Sequence, residues 1–375
     1  MMQAPRTSRL GALMATVTSA APSVAVVLAA VVAVVVVASI VGCRIEVGAP
    51  SGPAVASAAT DVPAGKVVLY TSAYRDVVDA LVALQKTQLP DVELVVFQGG
   101  SEKVASRLDA DLAAGRAQAD VLLVSDPLLY RRLKADGQLL PYASPRATPI
   151  DRRLADVDNA FVGARASTMV IAFHRENTPA QTAPQALRAA LFDEAIAKDI
   201  AFGDPLSSGT AMFTSLLVSH GEVNFLQDLR ARGASVAGGN AVVIQRILSG
   251  ERRFGVVLLE NVLLSSARGE PLDFVIPTDA VVIPGDVAIL KDTANAVAAR
   301  AIVDLILSPE GQALMRGAQG MMHATDPRLE PPDPRVPPLS ALLDRQPLDE
   351  PLLATVARDR AGLLGRIEAA LMHQP

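Results

Sequence analysis

From residue 66 onward the chain alternates short apolar runs with segments whose apolar residues recur at helical spacing. Lys66–Tyr70 is a run of the kind a buried strand needs, and over Ala73–Gln88 the residues Val77, Leu81 and Leu84 fall on one side of a helix. Val92–Phe97 predicts a second strand. Gly99–Glu102 opens a helix through Leu112, Val121–Val124 reads as a third strand, and Asp126 with Pro127 starts the next helix. Apolar strands alternating with helices imply a mostly parallel sheet covered on both faces. Ligands of such sheets sit beyond the carboxyl ends of the strands. Those ends are Thr71 and Ser72, Gly99–Glu102, and Ser125 and Asp126.

A loop-rich transition, Pro141–Asn159, separates this unit from a second one that starts with the strand Thr168–Phe173. A helical pattern over Ala186–Ala197 leads to the strand Ile200–Gly203. Ser207–Thr210 then introduces a helix over Ala211–Ser219. Further helices are expected at Phe225–Arg230 and Asn240–Leu248, and a strand at Gly255–Leu259. The strands Phe274–Ile276 and Val281–Leu290 carry the chain back to the first unit. The helix Thr293–Ser308, with Ile302, Val303 and Ile306 on one side, follows them, and a helix over Val356–Leu371 ends the chain. The expected division is one lobe from 66–160 and 278–375 and a second from 161–277, a size that suits two ordinary domains.

The segment before residue 66 is of another kind. Arg6 and Arg9 precede an almost wholly apolar stretch, Val24–Val41, which ends at Gly42 and Cys43. A basic start, an apolar run and a small residue before cysteine read as a lipoprotein export signal with the lipid on Cys43. An uncleaved membrane-spanning helix and a plain cleaved signal are the other two readings. All three place the rest of the chain outside the cytoplasmic membrane. Residues 44–65, rich in Gly, Ala, Ser and Pro, read as a tether. Cys43 is the only cysteine, so no internal disulfide forms.

Net charge is −5 with both signs interspersed, Trp is absent and Tyr numbers four. Nucleic-acid surfaces need clustered cations and stacking aromatics, and neither is present. The scattered His174, His220, His323 and His373 suggest no metal cluster. There is no nucleotide-binding glycine fingerprint and no nucleophile-elbow spacing. No cofactor is expected, and an enzyme is the least supported class.

The candidate chemistry lies at helix starts. Ser207, Ser208, Gly209 and Thr210 follow a strand and precede a helix, where unsatisfied N–H groups carry positive partial charge. Glycine admits close approach, and the hydroxyls add donors. This is the chemistry of a phosphate or carboxylate seat, although helix capping alone explains one hydroxyl. Thr71 and Ser72, and Gly100 and Ser101, hold equivalent positions in the first unit. Asp126 either caps its helix or receives an ammonium or hydroxyl. Glu260 and Asn261 follow a strand near the crossing point, and Asn240 is a further donor.

The order and spacing of several stretches resemble the periplasmic solute-binding proteins of ABC importers, in the branch of ferric-ion and phosphorylated-compound or phosphonate binders. They are Val67–Ser72, Arg107 and Leu108 with Asp120 and Val121, Leu133–Leu140, Asp204–Thr210, Gly250–Val256 and Leu307–Leu314. The resemblance implies an α/β, two-lobed periplasmic-binding-protein fold of type II, with mostly parallel sheets and crossing hinge strands. It implies a monomer that closes on a small anionic solute and docks on a membrane permease. It also implies that the tail Pro337–Leu371 packs back on the structure. The implied solute is an organophosphate or phosphonate, such as 2-aminoethylphosphonate, phosphoglycerate or a sugar phosphate. A ferric-ion binder of an iron importer and a sensing module for a membrane receptor kinase are the alternatives. The ferric branch carries adjacent tyrosines near Glu260, and this sequence has none there.

Overall fold

The computed structural model describes residues 62–318, 320–346 and 350–372. Cys43, the apolar stretch before it and the expected lipid anchor lie outside the described residues. Among the described residues no helix is long and apolar enough to cross a membrane.

The first unit runs β1 (Gly65–Thr71), α1 (Arg75–Gln88), β2 (Val92–Gln98), α2 (Ser101–Ala113), β3 (Val121–Val124), α3 (Pro127–Ala135) and β4 (Leu139–Leu140). The long strand β5 (Val162–His174) leads to the second unit, which begins with α4 (Leu187–Phe192), α5 (Glu194–Ala197), β6 (Ile200–Phe202), α6 (Gly209–Ser219) and α7 (Phe225–Ala231). It continues through β7 (Ser235–Val236), α8 (Asn240–Leu248), β8 (Phe254–Leu258), α9 (Leu259–Ala267) and β9 (Leu272–Val275). The chain returns along β10 (Val282–Leu290) to α10 (Ala296–Ile306), α11 (Pro309–Arg316) and β11 (His323–Ala324). It ends in α12 (Leu339–Arg345), α13 (Glu350–Arg358) and α14 (Arg360–Met372).

The strand order is β2-β1-β3-β10-β5-β8-β6-β7. The triplets at the two ends, β2-β1-β3 and β8-β6-β7, are parallel. The two central strands are antiparallel to each other and to their neighbours. The parallel sheet expected from the alternation is therefore two parallel halves joined by crossing strands. β5 pairs β10 through its first half and β8 and β9 through its second, so one strand belongs to both lobes. Its start at Val162 rather than Thr168 has a simple cause. Gly163, Arg165 and Ser167 interrupt the apolar pattern, and the Arg165 and Ser167 side chains reach Ser72 and Glu260 at the crossing point.

Apolar side chains on both sheet faces close the core. Val67, Leu69, Val121 and Leu123 are fully buried with Ile302 and Ile306 of α10, and each such side chain contributes about 1.5–3 kcal/mol. The expected division assigns 278–375 wholly to the first lobe, but the tail bridges both. α13 lies against α3 and α14 against α7, and Leu353, Leu363 and Ile367 join the second lobe's core. The single final helix expected over Val356–Leu371 is two, broken at Asp359, whose carboxylate accepts from the Gly362 N–H at 3.1 Å.

The start of α11 shows local sequence setting a boundary. Ser308 accepts from the Gly311 N–H at 3.1 Å, and Pro309, which lacks an N–H, takes the first turn. A Ser308→Ala protein is expected to lose about 1 kcal/mol in urea unfolding; an unchanged midpoint would deny the cap its role.

Candidate functional site

The strand ends and helix starts of the first lobe converge as expected, with different roles. Thr71 is fully buried; its hydroxyl donates to the Leu123 carbonyl at 2.8 Å and accepts from the Ala73 N–H at 3.0 Å. It braces β1 against β3. Ser72 is half-buried, and its Oγ accepts from the Ser125 N–H at 3.0 Å and from Arg165 Nη2 at 3.2 Å. Ser125 Oγ is buried without a hydrogen-bond partner. Ser101 Oγ donates to the Ser125 carbonyl at 3.2 Å, and Gly100, the N-cap of α2, is exposed with open space around it.

Arg165 stands at the centre of this group. It is 3% exposed, lies on the shared strand β5, and its Nε has no hydrogen-bond partner. Nη1 reaches the Met322 sulfur at 3.0 Å. A Cβ on Gly285 of β10 would come within 2.7 Å of Arg165 Cγ, 2.9 Å of its Nε and 3.0 Å of Ser125 Oγ. Glycine at that position leaves the guanidinium its room. Burial lowers the affinity of Arg165 for its proton, and nearby Glu260 is the first of the groups that oppose this. A guanidinium remains charged under such conditions.

Glu260 and Asn261 sit in the first turn of α9 rather than in a loop. Glu260 is 1% exposed; its Oε1 accepts from Ser167 Oγ at 2.5 Å, and its Oε2 is buried with no partner. Burial pushes its carboxyl up to about 7, against the Ser167 hydrogen bond and the Arg165 charge. Tyr74 completes the group. Its phenol is held above its ordinary range, first by burial and then by Glu260, while Arg165 and the Asn261 side chain pull the other way. Asn261 Oδ1 and Thr168 Oγ1 are buried and without hydrogen-bond partners as well. Buried polar atoms lacking partners are rare in folded proteins. Their concentration at one crossing point, around one cation, makes a site that accepts hydrogen bonds and negative charge.

The second lobe contributes its helix start from across the interface. Ser208 caps α6, its Oγ accepting from the Ala211 N–H at 3.3 Å and lying 3.0 Å from Thr210 Oγ1. Asn240, the first residue of α8, donates to Thr210 Oγ1 at 3.4 Å. Ser207 is exposed, turned back toward the Asp204 carbonyl at 3.5 Å. A Cβ on Gly209 would lie 3.3 Å from Glu102 Oε1 and 3.4 Å from Ser101 Cβ. The lobes are thus in contact here, and a lobe-one carboxylate faces the positive end of α6. Glu102 is itself held by Arg360 of α14, whose Nη2 is 3.0 Å from both carboxylate oxygens and whose Nη1 is 3.1 Å from Asp126 Oδ2. Asp126 also caps α3 through Oδ1, accepting from Leu128 N–H at 3.1 Å and Leu129 N–H at 3.2 Å. The capping role expected for Asp126 is present, and its other carboxylate oxygen faces a guanidinium from the chain's own tail rather than open cleft.

Ser72, Ser101 and Ser125 thus lie together on the first lobe, Gly209 comes against Ser101 and Glu102 from the second with Ser208, Thr210 and Asn240 linked beside it, and Glu260 and Asn261 start α9 at the crossing point. Thr71 and Ser207 have other partners. Tyr74, Arg165 and Arg360 are not among the residues singled out from the sequence, and Glu102 enters there only as the end of the segment Gly99–Glu102. For Arg165 a signal existed: it is the only charge within the run Val162–Phe173.

Comparison with known proteins agrees with the two-lobed fold. Residues 67–321 match the family described as bacterial extracellular solute-binding protein. The iron-bound HitA of Pseudomonas aeruginosa superposes with a TM-score of 0.66 at 20% identity, covering 80% of this chain and 99% of HitA. AfuA of Actinobacillus pleuropneumoniae, a periplasmic binding protein with fructose-6-phosphate bound, superposes at 0.67 with 21% identity, covering 83% and 99%. An uncharacterized protein of Haemophilus influenzae is 30% identical over 130 residues, which is 33% of this chain and 38% of that relative's length.

Proposed function

Because the chain belongs to the bacterial extracellular solute-binding proteins, we propose that it captures a small phosphorylated or phosphonate anion between its lobes and delivers it to an ABC permease. The observation that carries this reading is the buried, incompletely bonded guanidinium of Arg165, framed by Ser72, Ser125 and Gly285 on the strand both lobes share. Arginine recognises phosphate and carboxylate through a planar fork. The Ser208–Thr210 helix start closes from the other lobe, and Glu260, its carboxyl near 7, adds a hydrogen-bond donor when protonated. Closure is a hinge motion about β5 and β10.

A ferric ion takes anionic oxygen ligands. Among the described residues the cleft offers one phenol, Tyr74, and beside it one carboxyl, Glu260, a small set of anionic oxygens for such an ion. This favours the anionic solute over the metal. The test is thermal unfolding of the purified protein with 2-aminoethylphosphonate, 3-phosphoglycerate, a hexose phosphate, inorganic phosphate, Fe³⁺ and a neutral sugar. A ligand present at 100 times its Kd adds about 2.7 kcal/mol, so one of the phosphorus compounds should raise the midpoint by several degrees. If only Fe³⁺ or the sugar does so, the solute assignment fails.

A further inference from the structure

A cavity of about 700 Å³ lies behind the crossing strands, between α3, the turn at 152–157 and α13, and it shares no lining residue with the cleft described above. Its floor is Asp286 of β10, which is 2% exposed. Gly285 and Asp286 are adjacent on β10 and so point to opposite sides of the sheet, and the extra residue Ala164 in β5 turns their partners Arg165 and Gly163 to match. Gly285 faces Arg165 and the cleft. Asp286 faces backward, where Leu154, a residue of the cavity wall, and Asp286 Oδ1 meet over Gly163. The Asp286 carboxylate accepts no hydrogen bond and forms no ion pair among the described residues; only its backbone carbonyl is engaged, by the Tyr130 hydroxyl at 2.5 Å. Burial raises its carboxyl to about 7, the direction expected for an acid that faces a cavity with no counter-ion in contact. The walls are apolar at Leu154, Phe161 and Ala354. Arg131 is tied to Glu350 through both ends of its guanidinium, whereas Arg152 and Arg358 have no acidic partner among the described residues.

We propose that this cavity is a second ligand site and that it takes a small apolar amino acid, its ammonium on Asp286 and its carboxylate on Arg152 and Arg358. An ammonium supplies the missing counter-charge at the floor, the apolar body meets the walls, and the acid meets the two unpaired guanidiniums. α13 forms one wall, so the tail that bridges the lobes is part of this site.

The experiment is binding by calorimetry and ligand-observed NMR on the full chain, with a panel of apolar L-amino acids that includes L-phenylalanine, and with phenethylamine and 3-phenylpropionate as its amine-only and acid-only counterparts. An amino acid is expected to bind best, the amine more weakly and the acid least. Asp286→Asn should weaken amino-acid binding about tenfold or more, the loss of a charge-assisted contact. Arg358→Gln should weaken the amino acid and leave the amine unchanged. Ala354→Trp, a change on the half-buried face of α13, should fill the cavity and abolish binding, and it tests the site even if Asp286→Asn fails to fold. Asn240→Ala, a change in the second lobe's part of the separate cleft, should leave this binding intact. The proposal is overturned if no amino acid binds at millimolar concentration, if 3-phenylpropionate binds as tightly as phenylalanine, or if Ala354→Trp binds like the parent.

Discussion

An Arg165→Gln protein is expected to lose its solute by about 100-fold or more, close to 3 kcal/mol. The size follows from position. Arg165 is almost wholly shielded from water, and its Nε lacks a partner in the ligand-free chain. An anion closing on it would form charge-assisted hydrogen bonds away from competing water. Glutamine keeps a donor, but neither the charge nor the fork. Arg165→Lys should fall between, because an ammonium supplies the charge without planar, two-pronged contact. The unliganded fold should tolerate the change. The Arg165 side chain is held only by Ser72 Oγ and the Met322 sulfur, and an uncharged amide is less costly to bury than a guanidinium. Calorimetric titration of whichever phosphorus compound stabilises the parent, beside thermal unfolding without ligand, separates the two effects. Parent-like affinity in Arg165→Gln would remove the central argument for an anion seat.

The sequence disclosed most of the frame because burial writes itself as periodicity. Asn240–Leu248 has the predicted limits, and most strands lie within one or two residues of theirs. The helix starts at Ser101 and Gly209 were visible through glycine and hydroxyl residues next to strand ends. What stayed hidden is what depends on distant partners. The first half of β5 is fully buried yet carries Gly163, Arg165 and Ser167, so it reads as a loop with a stray charge until β10 and α9 are laid beside it. Arg360 meets Glu102 across 258 residues of chain, and in the sequence it is one arginine among several on a tail helix. Thr71 erred in the opposite sense. Its place after a strand promised a ligand contact, but the Leu123 carbonyl of β3 and the Ala73 N–H just before α1 engage its hydroxyl.

The second large effect is on stability as pH rises. Two enclosed carboxyls, Glu260 and Asp286, are held near 7 in the folded chain, against 4.5 and 3.8 for the free groups. Below the unfolded values both states hold the proton and nothing changes with pH. Between those values and about 7 the unfolded chain has released the protons while the folded chain keeps them, so stability falls as pH rises. For Glu260 alone the loss is about 3 kcal/mol, at roughly 1.4 kcal/mol for each tenfold difference in proton affinity between the folded and unfolded chain. On the acid side Asp151, Asp326 and Asp333 act in the opposite sense. Their arginine partners hold them below the usual range, so their contribution is lost as pH falls through the folded values. The parent should therefore be most stable in mild acid and markedly weaker in urea at about pH 8. Glu260→Gln should flatten the curve and exceed the parent in stability at the alkaline end, since it removes a charge that burial disfavours. The same titration should reach the solute. Protonated Glu260 can donate to an anion beside Arg165, whereas ionised Glu260 repels it. Affinity should then decline through pH 7 in the parent and much less in Glu260→Gln. Parallel stability curves for the two proteins would show that Glu260 is already ionised in the fold, and the donor assigned to it in the cleft would go with that result.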